Sequence, residues 1–185
     1  MKDLKNIING CASGNARAQE QLYHKFAPQM FGVCLRYSKD QTEAEDNLQE
    51  GFIKVFQHLD KFRHEGSFEG WVRRIMVNVS LEKFRKQHLM HPVEDVSIYD
   101  TQQVSDDILA KISAQELMEL IQQLPPRYRM VFNLYVMEGM NHQEIADEMK
   151  ISVGTSKSNL ARARDILKRK VKMLYREVGT SNNTA

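Results

Sequence analysis

Three groups of side chains in this sequence have the types and spacing to do chemistry on another molecule, and in each the chemistry is recognition. The first lies in residues 150–176, which hold nine basic residues and a single acid, Asp165. There Val153, Ser156, Leu160, Ala163 and Leu167 recur at i, i+3, i+7, i+10 and i+14, the spacing of a buried helix face. Thr155, Lys157, Ser158, Asn159, Ala161 and Arg162 fall outside that stripe. A helix fits the major groove of DNA, where Lys, Ser, Asn and Arg read base edges or hold phosphates. Arg162 is long enough to bridge a guanine, whereas Arg164 and Lys168 are assigned to phosphates. The plainer alternative is a solvated basic helix end.

The second group is Trp71, Arg74, Asn78, Glu82 and Arg85, a helical stripe mixing aromatic, cationic and amide groups. The segment before it repeats the mixture in Phe62, Arg63, His64 and Phe68. Single-stranded nucleic acid is held this way, with charges along the backbone and aromatic faces or pockets for extruded bases. A tryptophan beside apolar residues is equally at home in a core. The third group is Asp46, Gln49 and Glu50, a polar face opposite Leu48 and Phe52. It reads either as a solvated face or as a protein docking surface.

The chemistry of catalysis and of metals is not signalled. His64, His88 and His91 have no Cys or His partner at ligand spacing. There is no phosphate-cradling glycine loop, and neither an activated nucleophile nor a carboxylate cluster stands out. No catalytic residue, metal or cofactor is expected.

Helices must position these groups, since the apolar pattern is helical nearly throughout and no period-2 strand stands out. Asn15 caps an expected helix of about 16–37, with Pro28 as a candidate kink. Thr42 and Glu45 suggest a capping box for a helix of about 43–59, with Leu48, Phe52, Val55, Phe56 and Leu59 inward. Ser67 caps a helix of about 68–87 that buries Phe68, Val72, Ile75 and Val79. Residues 89–104 lack helical periodicity and contain Pro92, which marks a linker. Ser105 with the acids after it suits a helix start, and Leu109, Ile112, Leu117, Leu120 and Ile121 supply a core face. Pro125-Pro126 ends that helix and begins one of about 127–138, which Gly139 stops. Asn141 and Glu144 box a short helix of about 142–149, and Ser152 caps a last one of about 153–177. The short helix, tight turn and basic helix form a helix-turn-helix.

Charge supports the division. Residues 1–88 carry 14 Lys and Arg against 11 Asp and Glu. Residues 89–110 carry five acids and no Lys or Arg, and residues 111–185 carry 12 basic against 8 acidic residues. The expected fold is all-α: two small helical domains, 1–88 and 105–177, joined by a flexible acidic linker at 89–104 and followed by a disordered tail at 178–185. Cys11 and Cys34 sit in apolar helical contexts with no C-x-x-C, and no apolar run reaches transmembrane length. A cytoplasmic location, without membrane insertion, is the expectation.

The residues Glu43-Ala44-Glu45-Asp46, Gln49-Glu50 and Phe52, then Phe68-Glu69-Gly70-Trp71-Val72, Ile75 and Asn78, resemble region 2 of extracytoplasmic-function sigma factors. Leu124-Pro125-Pro126-Arg127-Tyr128-Arg129, Glu138-Gly139-Met140, Glu144-Ile145-Ala146, Ile151-Ser152-Val153-Gly154-Thr155, Lys157-Ser158 and Arg162-Ala163-Arg164 resemble their region 4. The resemblance covers about 15–176 and implies a subunit that binds core RNA polymerase and directs initiation at −35 and −10 promoter elements. It implies that Asp46, Gln49, Glu50, Phe52 and Phe56 meet the β′ clamp. Arg63, His64, Trp71, Arg74 and Asn78 would open and read the −10 element. Thr155, Lys157, Ser158, Asn159 and Arg162 would read the −35 element while region 4 rests on the β flap. An anti-sigma protein is a further implied partner. The sequence departs from the family pattern at Ser156, where an apolar Val is usual, and at Asn159 and Ala161, which replace larger and often basic residues. A stand-alone helix-turn-helix regulator explains residues 105–177 equally well, but not the aromatic-basic stripe or the Gln49-Glu50 face.

Overall fold

A computed structural model of the chain describes residues 2–63, 65–88 and 113–181. The described residues are helical, with no strand among them, and divide into two compact units, Met1–Lys86 and Gln87–Ala185. The expected linker at 89–104, and the expected helix start at Ser105 with Leu109 and Ile112, lie outside the described residues.

The first unit opens with a helix the sequence reading passed over, α1 (Lys2–Ala12), followed by α2 (Ala16–Tyr37). Asn15 caps α2 as expected, its side chain accepting from the Ala18 amide at 3.1 Å. Pro28 sits exposed within α2, and the helix continues past it without a break. α3 (Gln41–Gln57) starts earlier than expected. Its cap is Asp40, which accepts from the Glu43 amide at 2.8 Å, while the Glu43 carboxylate accepts from the Lys39 amide at 2.7 Å. Thr42 therefore lies inside the helix, because an acid at Asp40 satisfies a terminal amide and also complements the helix dipole.

A 3-10 turn (Leu59–Lys61) leads toward α4 (Phe68–His88). Leu22, Met30, Cys34 and Tyr37 of α2 share the core with Ala44 and Val55 of α3 and Val72, Met76, Val79 and Leu81 of α4. Ile75, expected inside, is only half-buried, and Met76 takes the fully buried place. Met76 fits because Gly51 of α3 faces it without a Cβ. Cys34 is a free thiol whose pKa burial pushes up to about 12.

The second unit begins, among the described residues, with α5 (Ala114–Gln122). Ser113 and Glu116 cap it with a reciprocal pair of hydrogen bonds at 3.2 and 2.8 Å. α6 (Pro126–Val136) has proline at its first position, where no amide is needed. Gly139, at φ +70, turns the chain into α7 (His142–Met149), and Lys150, at φ 54, turns it into α8 (Val153–Ser181). α8 packs against α5, α6 and α7 and buries Leu160, Ala163, Leu167 and Val171. It runs on to Ser181, past the expected end at 177, so residues 178–181 are helical; no proline interrupts that stretch.

Candidate nucleic-acid interface

The helix-turn-helix is built from α7, the left-handed turn at Lys150 and the first half of α8. Asn141 closes α7 by accepting from the Gln143 and Glu144 amides at 2.9 and 3.0 Å, and Glu144 accepts in return from the Asn141 amide at 2.7 Å. Ser152 caps α8 by accepting from the Thr155 amide at 3.0 Å. Its hydroxyl also meets the Thr155 hydroxyl at 2.9 Å, so Thr155 is half-buried and engaged in the cap.

Along α8 the exposed face carries Gly154, Lys157, Ser158, Ala161, Arg164 and Lys168. Two of the residues expected to read bases are placed differently from the rest. Asn159 is 2% exposed, its amide enclosed within the unit. It follows Ser156 by three positions and precedes Ala163 by four, which puts it on the flank of the buried stripe. Among the described residues three helices pack on α8, so the buried arc is wider than an amphipathic stripe needs. Arg162 is half-buried: Nη1 donates to the Tyr128 hydroxyl at 3.3 Å and the guanidinium carbon lies 6.0 Å from that ring's centroid. It leans on α6 rather than projecting freely. Ser158 donates to the Thr155 carbonyl at 3.0 Å, which leaves its oxygen exposed as an acceptor.

In the first unit, Trp71 is half-buried in an aromatic cluster. Its ring lies 5.6 Å from Phe62 and 5.5 Å from Phe68; Phe68 in turn meets Phe62 at 5.1 Å and Phe26 at 5.6 Å. One side of the indole is thus anchored, and Arg74 and Asn78, three and seven positions on, are exposed along the same helix face. Arg63 is exposed, and His64 lies outside the described residues. Glu82 does not extend this stripe outward. Its carboxylate accepts from Lys54 Nζ at 2.6 Å, and that hydrogen bond and charge hold its pKa below the ordinary carboxylate value.

On α3, Asp46, Gln49 and Glu50 are exposed. Phe52, opposite that face and grouped with it by the resemblance, is 3% exposed and packs on Tyr23 with centroids 4.7 Å apart, so it shapes the surface from beneath. Phe56 is half-buried. The residue missed by periodicity is Ile53, 56% exposed and one turn beyond Gln49. An apolar residue off the buried stripe was the available signal. Asp46 lies 3.8 Å from Lys83 and Glu50 lies 3.6 Å from Lys54, so both acids have lysine neighbours within the unit.

Among the described residues no group of three His, Cys, Asp or Glu side chains is placed to hold a metal ion, and no helix is long and apolar enough to cross a membrane.

Comparison with known proteins agrees with this layout. A family model described as Sigma-70 region 2 matches residues 22–89, and one described as Sigma-70, region 4 matches residues 114–167. The RNA polymerase sigma-H factor of Pseudomonas aeruginosa is 29% identical, over 94% of this chain and 96% of that protein. The ECF RNA polymerase sigma factor SigW of Bacillus subtilis is 29% identical, over 92% of this chain and 98% of its own. Among solved structures, the sigma factor RpoE of Bartonella quintana in complex with the anti-sigma factor NepR aligns with a TM-score of 0.50 at 22% identity. That alignment covers 83% of this chain and 96% of the other, and shows a shared fold.

Proposed function

We propose, on the premise that this chain belongs to the sigma-70 family as an extracytoplasmic-function sigma factor, that it is a promoter-specificity subunit which binds core RNA polymerase and directs initiation at −35 and −10 elements. The observation that carries this is the presence of both family regions in order, over residues 22–89 and 114–167. A stand-alone regulator needs only the second. Sigma factors are non-catalytic initiation factors: the polymerase makes the bonds and the sigma subunit chooses the site.

Each exposed face then has a role. The α3 face of Asp46, Gln49, Glu50 and Ile53, stiffened from below by Phe52 and Phe56, docks on the β′ clamp; its exposure and its isolated apolar residue support this. Arg63, Trp71, Arg74 and Asn78, with His64, engage the −10 element once its bases leave the stack. Lys157, Ser158 and Ala161 face the −35 bases, where Ala161 suits a thymine methyl group and Lys157 a guanine acceptor. Arg164 and Lys168 take phosphates, while Thr155, Asn159 and Arg162 hold the reading helix in shape. The second unit rests on the β flap. The related RpoE is bound by an anti-sigma protein, and we assign this chain a partner of the same kind and a place in the cytoplasm.

Reconstitution with core polymerase, followed by mapping of transcript starts, tests the reading. Starts should share spaced −35 and −10 sequences that core polymerase alone does not use. Failure of the chain to bind core polymerase, or starts that do not change on its addition, would remove it.

A further inference from the structure

Ser156 is a buried polar side chain on the inner stripe of α8. A buried hydroxyl needs a partner. Here the partner is Nδ1 of His142, the first residue of α7, 3.0 Å from the Ser156 hydroxyl oxygen. The His142 ring stacks on Tyr135 of α6, with centroids 4.8 Å apart and planes 28° from parallel. The guanidinium carbon of Arg164 lies 5.5 Å from the centroid of the same tyrosine ring. Four side chains from three helices therefore run in series from the buried side of the helix-turn-helix to an exposed arginine on α8.

The contacts repeat along α6. Tyr128 and Tyr135 stand seven positions apart, hence on one helix face, and each carries an arginine of α8, Arg162 and Arg164. They differ in what lies behind the ring. Arg162 is half-buried and hydrogen-bonded to the hydroxyl of its tyrosine, whereas Arg164 is exposed and its tyrosine is braced by His142. An exposed arginine otherwise spreads over many rotamers, and ordering it at the moment of binding weakens the contact it makes.

We infer that His142 is a positioning residue for DNA binding: held by Ser156 and stacked on Tyr135, it fixes the ring that presents the Arg164 guanidinium to a backbone phosphate. This rests on α8 being the promoter-binding helix.

The test uses the full chain assembled with core polymerase and a duplex selected from a random pool by the parent holoenzyme. Affinity is followed over a salt series. Arg164→Ala should weaken binding and lower the slope of log K against log salt by about 0.9, the share of one phosphate contact. His142→Leu should weaken binding by about twofold to fivefold, the size of an exposed cation–π contact. In that background Arg164→Ala should change the slope much less than in the parent. Because His142→Leu alone leaves the Ser156 hydroxyl unpartnered, the pair His142→Leu with Ser156→Val, which restores an apolar contact, serves as a second background. Its helicity and unfolding are checked first, and the same loss of coupling is expected. An equal effect of Arg164→Ala in the parent and in the apolar-pair background overturns the inference, as does an unchanged slope for Arg164→Ala in the parent while Lys157→Ala weakens binding. If Arg164→Ala, Lys157→Ala and Lys168→Ala all bind like the parent, the reading of α8 as the DNA-binding helix falls, and the inference with it.

Discussion

Lys157 and Arg162 are both cations of α8, yet they stand in different surroundings. Lys157 is exposed, while Arg162 leans on Tyr128 through a 3.3 Å hydrogen bond and the face of its ring. Lys157→Ala should therefore relax sequence preference at one position, by about 1–3 kcal/mol of discrimination if it bridges a guanine. Arg162→Ala should lower the thermal stability of the second unit and leave the selected −35 sequence unchanged. Selection from a random duplex pool by each variant holoenzyme, beside a melting curve of each variant, separates the two. Altered information content with Arg162→Ala would return that residue to the base-reading set.

At the scale of elements, the junction of α3 and α4 sets the geometry of both the exposed face of residues 46–53 and the stripe of residues 71–78. Gly51 lies where an added Cβ would fall on the Met76 thioether, and Met76 is fully buried. Gly51→Ala should then cost about 1–3 kcal/mol through overpacking. Chemical unfolding followed by helicity measures this, and a variant as stable as the parent would show that α3 and α4 do not depend on the close approach. The same junction is bridged at its edge by Lys54 and Glu82, 2.6 Å apart. Because the Lys54 hydrogen bond and charge lower the Glu82 pKa in the folded state, the pair contributes stability above the ordinary carboxylate pKa of about 4.3 and loses it as pH falls through the depressed value. Glu82→Gln should remove that part of the acid sensitivity, so its melting temperature should fall less steeply than the parent's as pH drops below that range. Parallel acid limbs for the two proteins would contradict it.

At the scale of the whole molecule, charge is distributed in blocks along the sequence: net-basic stretches at 1–88 and 111–185 lie on either side of five acids, Glu94, Asp95, Asp100, Asp106 and Asp107. A chain with a formal net charge of +2 thus holds its net positive charge in two stretches of sequence separated by a net-negative one, which opposes the approach of a polyanion. Replacing all five acids by their amides should raise the affinity of the free chain for non-specific duplex DNA, with the largest gain at low salt. Fluorescence anisotropy across a salt series reads this directly. No gain at low salt would mean that the acidic block does not influence where DNA binds.

Helical periodicity, capping residues and the proline and glycine stops located most of the described helices, but not α1. Those signals act over three or four residues, and the sequence alone places α2, α4, α6, α7 and the start of α8 within a few residues of where they lie. The order of motifs was likewise enough to assign the family, because it does not depend on packing. Which face of each helix reaches solvent was decided only by the tertiary structure. A single stripe predicts the centre of the buried arc, but its width depends on how many helices pack against it. With α5, α6 and α7 all on α8, Asn159 is enclosed and Arg162 is drawn onto Tyr128. On α3 the stripe already placed Phe52 inside, while Phe56, expected inward, is only half-buried and Ile53 is left outside. The contact of His142 with Ser156, fourteen residues apart and on different helices, has no local signature. It exists because the turn at Lys150 brings α7 back across α8, and it could be read only once the two helices were packed.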